Sequence, residues 1–134
     1  MAFNWWADAG MTVPLTRLDF ARTTAAAAVD AVAYFGNPTA GTKLQRASDP
    51  GIEPLQVEVS DAASGSGVET ASVKLASSAA GLASAVAGAS LNIGTTINAG
   101  TAVAVYVRVD SSITAVGNYD DVSLAVPDWL ETTV

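Results

Sequence analysis

The chain contains neither histidine nor cysteine. The first absence removes the side chain that titrates near neutral pH, and with it the usual base of a serine nucleophile. The second removes thiol chemistry, disulfides and the soft ligands of transition-metal sites. Basic residues are also scarce: six Lys and Arg face thirteen Asp and Glu, a formal charge of −7. Arg17, Arg22, Lys43, Arg46, Lys74 and Arg108 are scattered, whereas a nucleic acid or an anionic membrane calls for a clustered cationic face. Neither is an expected partner. Long apolar runs are missing as well. The most apolar stretch, 76–91, is broken by Ser77, Ser78, Gly81, Ser84, Gly88 and Ser90, so no membrane span is predicted. The opening Met-Ala-Phe-Asn-Trp-Trp-Ala-Asp has neither the basic region nor the apolar core of a secretory signal. The expectation is a soluble protein assembled in a cytoplasm.

What is present is β pattern. In Thr101–Asp110, Val103, Val105, Val107 and Val109 recur every second residue, with Ala104, Tyr106 and Arg108 between them. Alternation of this kind turns a β-branched comb toward a core and a mixed face outward. Leu55/Val57/Val59, Ala71/Val73/Leu75, Leu91/Ile93/Thr95/Ile97 and Val122/Leu124/Val126 repeat the pattern. Residues 21–35 fit a helical stripe and a strand alike. A strand from Val29 to Phe35, ended by Gly36-Asn37-Pro38, agrees better with the rest. Turn chemistry stands at Asp49-Pro50-Gly51, Ser64–Gly67, Asn98–Gly100 and Gly117-Asn118. The spacing predicts a hairpin joining 91–97 to 101–109 through a three-residue loop. Residues 77–90 are predicted as a connection between strands.

About six or seven short strands predict an all-β, Ig-like antiparallel β-sandwich. One domain suits 134 residues. It is expected at 21–127, with an extended N-terminal arm over 1–20 and a short C-terminal tail over 128–134. Pro14 confines the arm to an edge or an extended segment. Half the residues are apolar, but many are alanine, and so thin a core predicts that association adds stability. Phe3, Trp5, Trp6, Met11, Val13 and Leu15 on the arm, with Trp129 and Leu130 on the tail, are the candidate protein-interaction residues, aromatics being favoured anchors. Packing of the arm's rings back on their own domain is the competing expectation.

Motifs for chemistry are weak. Gly36–Lys43 approaches a phosphate-binding loop, but the order of its Thr and Lys is reversed, and it reads as a turn. Asp61 to Glu69 and Asn118/Asp120/Asp121 are rich in oxygen ligands yet lack the spacing of a calcium loop. Glu53, Glu58, Asp61 and Glu69 cannot be paired as glycosidase carboxylates from sequence. Ser-Lys catalysis through Lys43 or Lys74 has no supporting motif. No catalytic, cofactor or metal site is expected. The terminal Thr132-Thr133-Val134 matches a carboxylate-capture motif, but three residues match by chance easily.

Ala-Tyr-Phe-Gly-Asn-Pro (33–38), Gly-Thr-Lys-Leu-Gln (41–45), the segment 73–82, Leu-Asn-Ile-Gly-Thr-Thr-Ile-Asn-Ala-Gly (91–100), Ala-Val-Tyr-Val-Arg-Val-Asp (104–110) and Asp-Val-Ser-Leu-Ala-Val (121–126) together resemble small virion proteins of tailed bacteriophages. The resemblance spans roughly 29–126 and contains no catalytic motif. It implies a capsid decoration, or cement, protein that bridges capsomers on the outside of the head. The implied partners are the major capsid protein and further copies of this chain, most simply a trimer at local threefold positions. The resemblance equally allows a neck, tail or baseplate component. An Ig-like adhesion or carbohydrate-binding module is the alternative from another class, and the sequence announces no aromatic platform for it.

Overall fold

The computed structural model describes residues 3–15, 20–22, 29–61, 73–109, 117–119 and 122–134, with backbone alone for 20–22, 29, 61, 117–119 and 122. Among these the chain forms β1 (Asn4–Trp6), β2 (Phe20–Arg22), β3 (Val29–Gly36), β4 (Thr42–Arg46), β5 (Leu55–Asp61), β6 (Val73–Ala76), a 3₁₀ turn (Ala80–Ser84), β7 (Leu91–Gly94), β8 (Thr96–Asn98), β9 (Ala102–Val109), β10 (Gly117–Tyr119), β11 (Val122–Ala125) and β12 (Trp129–Thr133). The protein is all-β and antiparallel, a β-sandwich as the alternation implies.

The valine comb organises the first layer. β9 turns Val105, Val107 and Val109 fully inward. β3 pairs along its whole length, setting Ala31, Ala33 and Phe35 opposite Val107, Val105 and Val103. β1 adds to the far side of β3 and β6 to the far side of β9, giving the order β1-β3-β9-β6. The facing layer consists of two three-stranded sheets, β11-β5-β7 and β12-β4-β8, and β10 pairs with β2 in a separate ribbon. Leu44, Leu55, Val57 and Ile97 join Phe3, Phe35 and the valines in one continuous core. Each fully buried aliphatic or aromatic side chain of this kind contributes about 1.5–3 kcal/mol.

Four sequence expectations need correction. Residues 91–97 do not continue as one strand into a hairpin with 101–109. Gly94, at φ 108°, takes a conformation that side chains disfavour, and the chain changes sheet there. β7 joins β5 while β8 joins β4. Asn98–Gly100 remains a turn, but it carries the chain from one layer to the other. Its amides bind the β3–β4 connection, Gly100 N–H donating to Asn37 O (2.7 Å) and Ala99 N–H to Thr42 O (3.0 Å). Gly117-Asn118, expected as a turn, lies within β10 opposite Arg22 and Ala21 respectively.

Third, the described part of the expected arm, residues 3–15, is extended but packs on the domain. β1 pairs with β3, Trp5 opposite Phe35 and Trp6 opposite Tyr34. The chain then doubles back, with Ala7 N–H donating to Val13 O and Leu15 N–H to Trp5 O. Pro14 bridges to Trp6 on the outer side, where its missing donor is harmless and its ring blunts the edge. Asp8 holds the reversal by accepting from the Thr12 hydroxyl (2.6 Å) and from the amides of Thr12 and Val13 (both 2.9 Å). These bonds, the Thr12 hydroxyl first, lower its pKa from 3.8. Fourth, the 128–134 tail contains strand β12, paired with β4 over five positions.

Candidate functional site

Of the residues expected to meet a partner, several are used internally. Phe3 is 1% exposed, Met11 is buried and Leu15 packs on the core. Phe3 and Trp5 both lie against Phe35, with ring centroids 6.0 and 5.0 Å away. Met11 rests on Gly36: a Cβ there would lie 2.8 Å from its sulfur and 2.7 Å from Thr101 O. Val13, Trp129 and Leu130 remain open to solvent, at 54%, 40% and 41%.

Trp129 and Leu130 are neighbours on β12 opposite Arg46 and Gln45, so they point to opposite faces of the strand. β12 forms an edge of its sheet and is clipped at both ends. Before it, Asp128 accepts from Arg46 Nε (3.0 Å) and from Ser48 N–H (3.3 Å). Hydrogen bonding from Ser48, then from Arg46, lowers the Asp128 pKa. Farther along, the Thr42 hydroxyl donates to Glu131 Oε2 (2.9 Å), and Val134 N–H donates to Gly41 O (3.0 Å). The result is a rigid edge strand with an exposed side chain on each face.

A second surface was not foreseen. Trp6, one of the candidate interaction residues, points away from the core onto the outer face of the four-stranded sheet, and its indole N–H is fixed on Gly36 O (3.0 Å). Register places Tyr34 opposite Trp6, and Tyr106 opposite Val32, one alternation farther along β3. Three strands therefore contribute one half-buried ring each to a single face. Beyond Tyr106, Asp30 and Arg108 face each other. Their contact is bidentate, Nε to Oδ1 at 2.8 Å and Nη2 to Oδ2 at 3.1 Å, and it lowers the Asp30 pKa. The 3₁₀ turn covers the β6 corner of this face, where a Cβ on Gly81 would lie 3.3 Å from the Ala76 methyl and Leu82 is fully buried. Between turn and sheet a cleft of about 260 Å³ is lined by Asp30, Ala31, Val32, Ala79, Leu82 and Tyr106. The sequence contains the signal in the outward positions of two alternating strands, Asp30/Val32/Tyr34 and Ala104/Tyr106/Arg108. What it lacks is the register that brings them together.

Where they are described, the remaining motifs take part in turns and local contacts. Gly36–Lys43 joins strand to strand, and Asn37 Oδ1 accepts from Thr39 N–H (3.0 Å) in an Asx turn. Glu53 accepts from the Ser48 hydroxyl (2.9 Å) beside Arg46. A more polar cleft of about 290 Å³ lies between Glu58, Val59, Gly88 and Ser90. Residues 62–69, Asp120 and Asp121 lie outside the described residues. Among the described residues, no group of three or more acids is placed to hold a metal ion, and no helix is long and apolar enough to cross a membrane. No protein-family model matches the chain, and neither a curated protein nor a solved structure shows significant similarity to it.

Proposed function

We propose that the protein is a structural component of a tailed-bacteriophage virion, a decoration protein that binds the outside of the head and bridges capsomers. One observation supports this reading above the others: a short, rigid edge strand, β12, presents Trp129 and Leu130 on its two faces. An edge strand offers unpaired backbone groups to an extended segment of another subunit, and exposed large apolar side chains supply the anchors. The resemblance of 29–126 to small virion proteins points the same way. With a net charge of −7 the chain is repelled by packaged DNA, which favours the outer surface. The partners proposed are the major capsid protein and further copies of this chain, as a trimer.

Co-sedimentation with heads that lack the protein tests the reading. The purified chain is expected to bind saturably, and Leu130→Glu to bind weakly while keeping its fold. Failure of the unaltered chain to bind heads contradicts it.

A further inference from the structure

We infer that the outer face of the four-stranded sheet carries a binding site for a neutral glycan, with one pyranose ring seated in the cleft against Tyr106 and its chain continuing over Tyr34 toward Trp6. A pyranose is amphipathic: one side presents C–H groups and the rim presents hydroxyls. The cleft has the matching division. Tyr106, Val32 and Ala79 offer an apolar wall over the buried Leu82, and Asp30 brings a carboxylate to the same cleft. An apolar wall with a few convergent polar groups is the usual build of a small-ligand site. At about 260 Å³ the space suits one sugar residue.

The polar group is held ready. Arg108 fixes both Asp30 oxygens by its bidentate contact, yet each carboxylate oxygen has a further lone pair for a hydroxyl donor. As a surface ion pair this contact contributes little to stability, whereas an oriented carboxylate at the mouth of an apolar cleft discriminates among ligands. Asp30 and Arg108 neutralise each other, so the polar group at the cleft is matched to an uncharged ligand, and Lys74 stands on the far side of Arg108 from Asp30. An apolar peptide side chain would fill the apolar wall but would strip water from Asp30 without replacing its hydrogen bonds.

The ring series sets the direction of a longer ligand. Tyr34 is diagonal to Tyr106 across β3 and β9, and Trp6 stands next to Tyr34 across β1 and β3. Diagonal and direct cross-strand neighbours are about 7–8 Å and about 5 Å apart. Rings at such steps along one face are suited to successive sugar residues. The Trp6 bond to Gly36 O and the enclosure of Leu82 fix the two ends before any ligand arrives, which lowers the ordering cost of binding. The site is independent of the virion reading, and either can fail alone.

Amide-shift titration of the ¹⁵N-labelled full chain tests the inference, with maltotriose, cellotriose, chitotriose and a β-1,4-galactotriose as probes. At least one is expected to shift amides of 30–34, 79–82 and 104–108 in a saturable manner, with an affinity on the order of 1 mM for so small a contact. Tyr106→Ala is expected to weaken binding about tenfold, the worth of one ring contact, while Tyr106→Phe retains it. Asp30→Asn, which keeps the shape and removes the charge, is expected to weaken it as well. Tyr34→Ala is expected to weaken trisaccharides more than the matching monosaccharide. Melting curves and amide dispersion show whether each variant is folded. The inference is overturned if no glycan shifts these amides, if folded Tyr106→Ala binds as well as the original, or if acetyl-Leu-Ala-Tyr-amide shifts them and the glycans do not.

Discussion

Trp5 and Trp6 are consecutive in the chain and serve opposite sides of one sheet. The Trp5 ring packs 5.0 Å from that of Phe35 in the core, and the Trp6 indole is bonded to Gly36 O on the outer face. Trp5→Ala is therefore expected to cost about 2–4 kcal/mol in unfolding free energy, near the range for large-to-small core changes. Trp6→Ala is expected to cost about 1 kcal/mol, the worth of one hydrogen bond and some packing. Urea titration of the two variants checks the difference, and equal losses would contradict the assignment of faces.

Gly36 is under a tighter constraint than its neighbours. A methyl group there meets Met11 Sδ and the carbonyl of Thr101. Gly36→Ala is expected to destabilise by about 1–3 kcal/mol. Adding Met11→Ala is not expected to restore stability, because the closer obstacle is backbone. Thermal melts of the single and double variants check this.

Stability should fall in acid. Asp8, Asp30 and Asp128 all have folded-state pKa values below the ordinary 3.8. A folded state that holds fewer protons than the unfolded chain gains stability as pH rises through that range and loses it as pH falls. The contribution is complete above about pH 5 and declines from there through the unfolded-state value and on toward the lowered folded-state values. Urea midpoints measured from pH 7 to 2 are expected to be flat and then to drop, and Asp128→Asn is expected to reduce the drop.

Removal of residues 1–15 tests whether the N-terminal segment belongs to this domain. The deletion takes away buried Phe3, the Trp5–Phe35 contact and the strand that covers β3. Loss of the cooperative unfolding transition is expected. A truncated chain that keeps its full fold would assign the segment to a partner instead.

How much of this was legible in the sequence depended on how local the signal was. β3, β5, β9 and β11 could be read from alternation because every second residue, such as Ala31/Ala33/Phe35, Val105/Val107/Val109 or Leu124/Val126 at β11, faces or packs on one core. β4 and β12 could not, since Thr42–Arg46 has one inward aliphatic, Leu44, and Trp129–Thr133 is held by contacts such as Thr42–Glu131, 89 residues apart. The break at Gly94 was hidden because Leu91, Ile93 and Ile97 keep the same alternation across it. Burial of Phe3 beneath the sheet, and the meeting of Trp6, Tyr34 and Tyr106 on one face, follow from strand order and register. Neither leaves a periodic trace.

Association is expected to be visible in isolation. Light scattering of the purified chain should give three times its 13.5 kDa mass, and Leu130→Glu should shift the equilibrium toward single chains if the β12 edge takes part.

Cryo-electron microscopy of the intact particle tests the structural role most directly. Density for the sandwich is expected on the outer head surface at local threefold positions, with β12 turned toward the shell. Density on the inner, DNA-facing surface, or none anywhere on the particle, would contradict it.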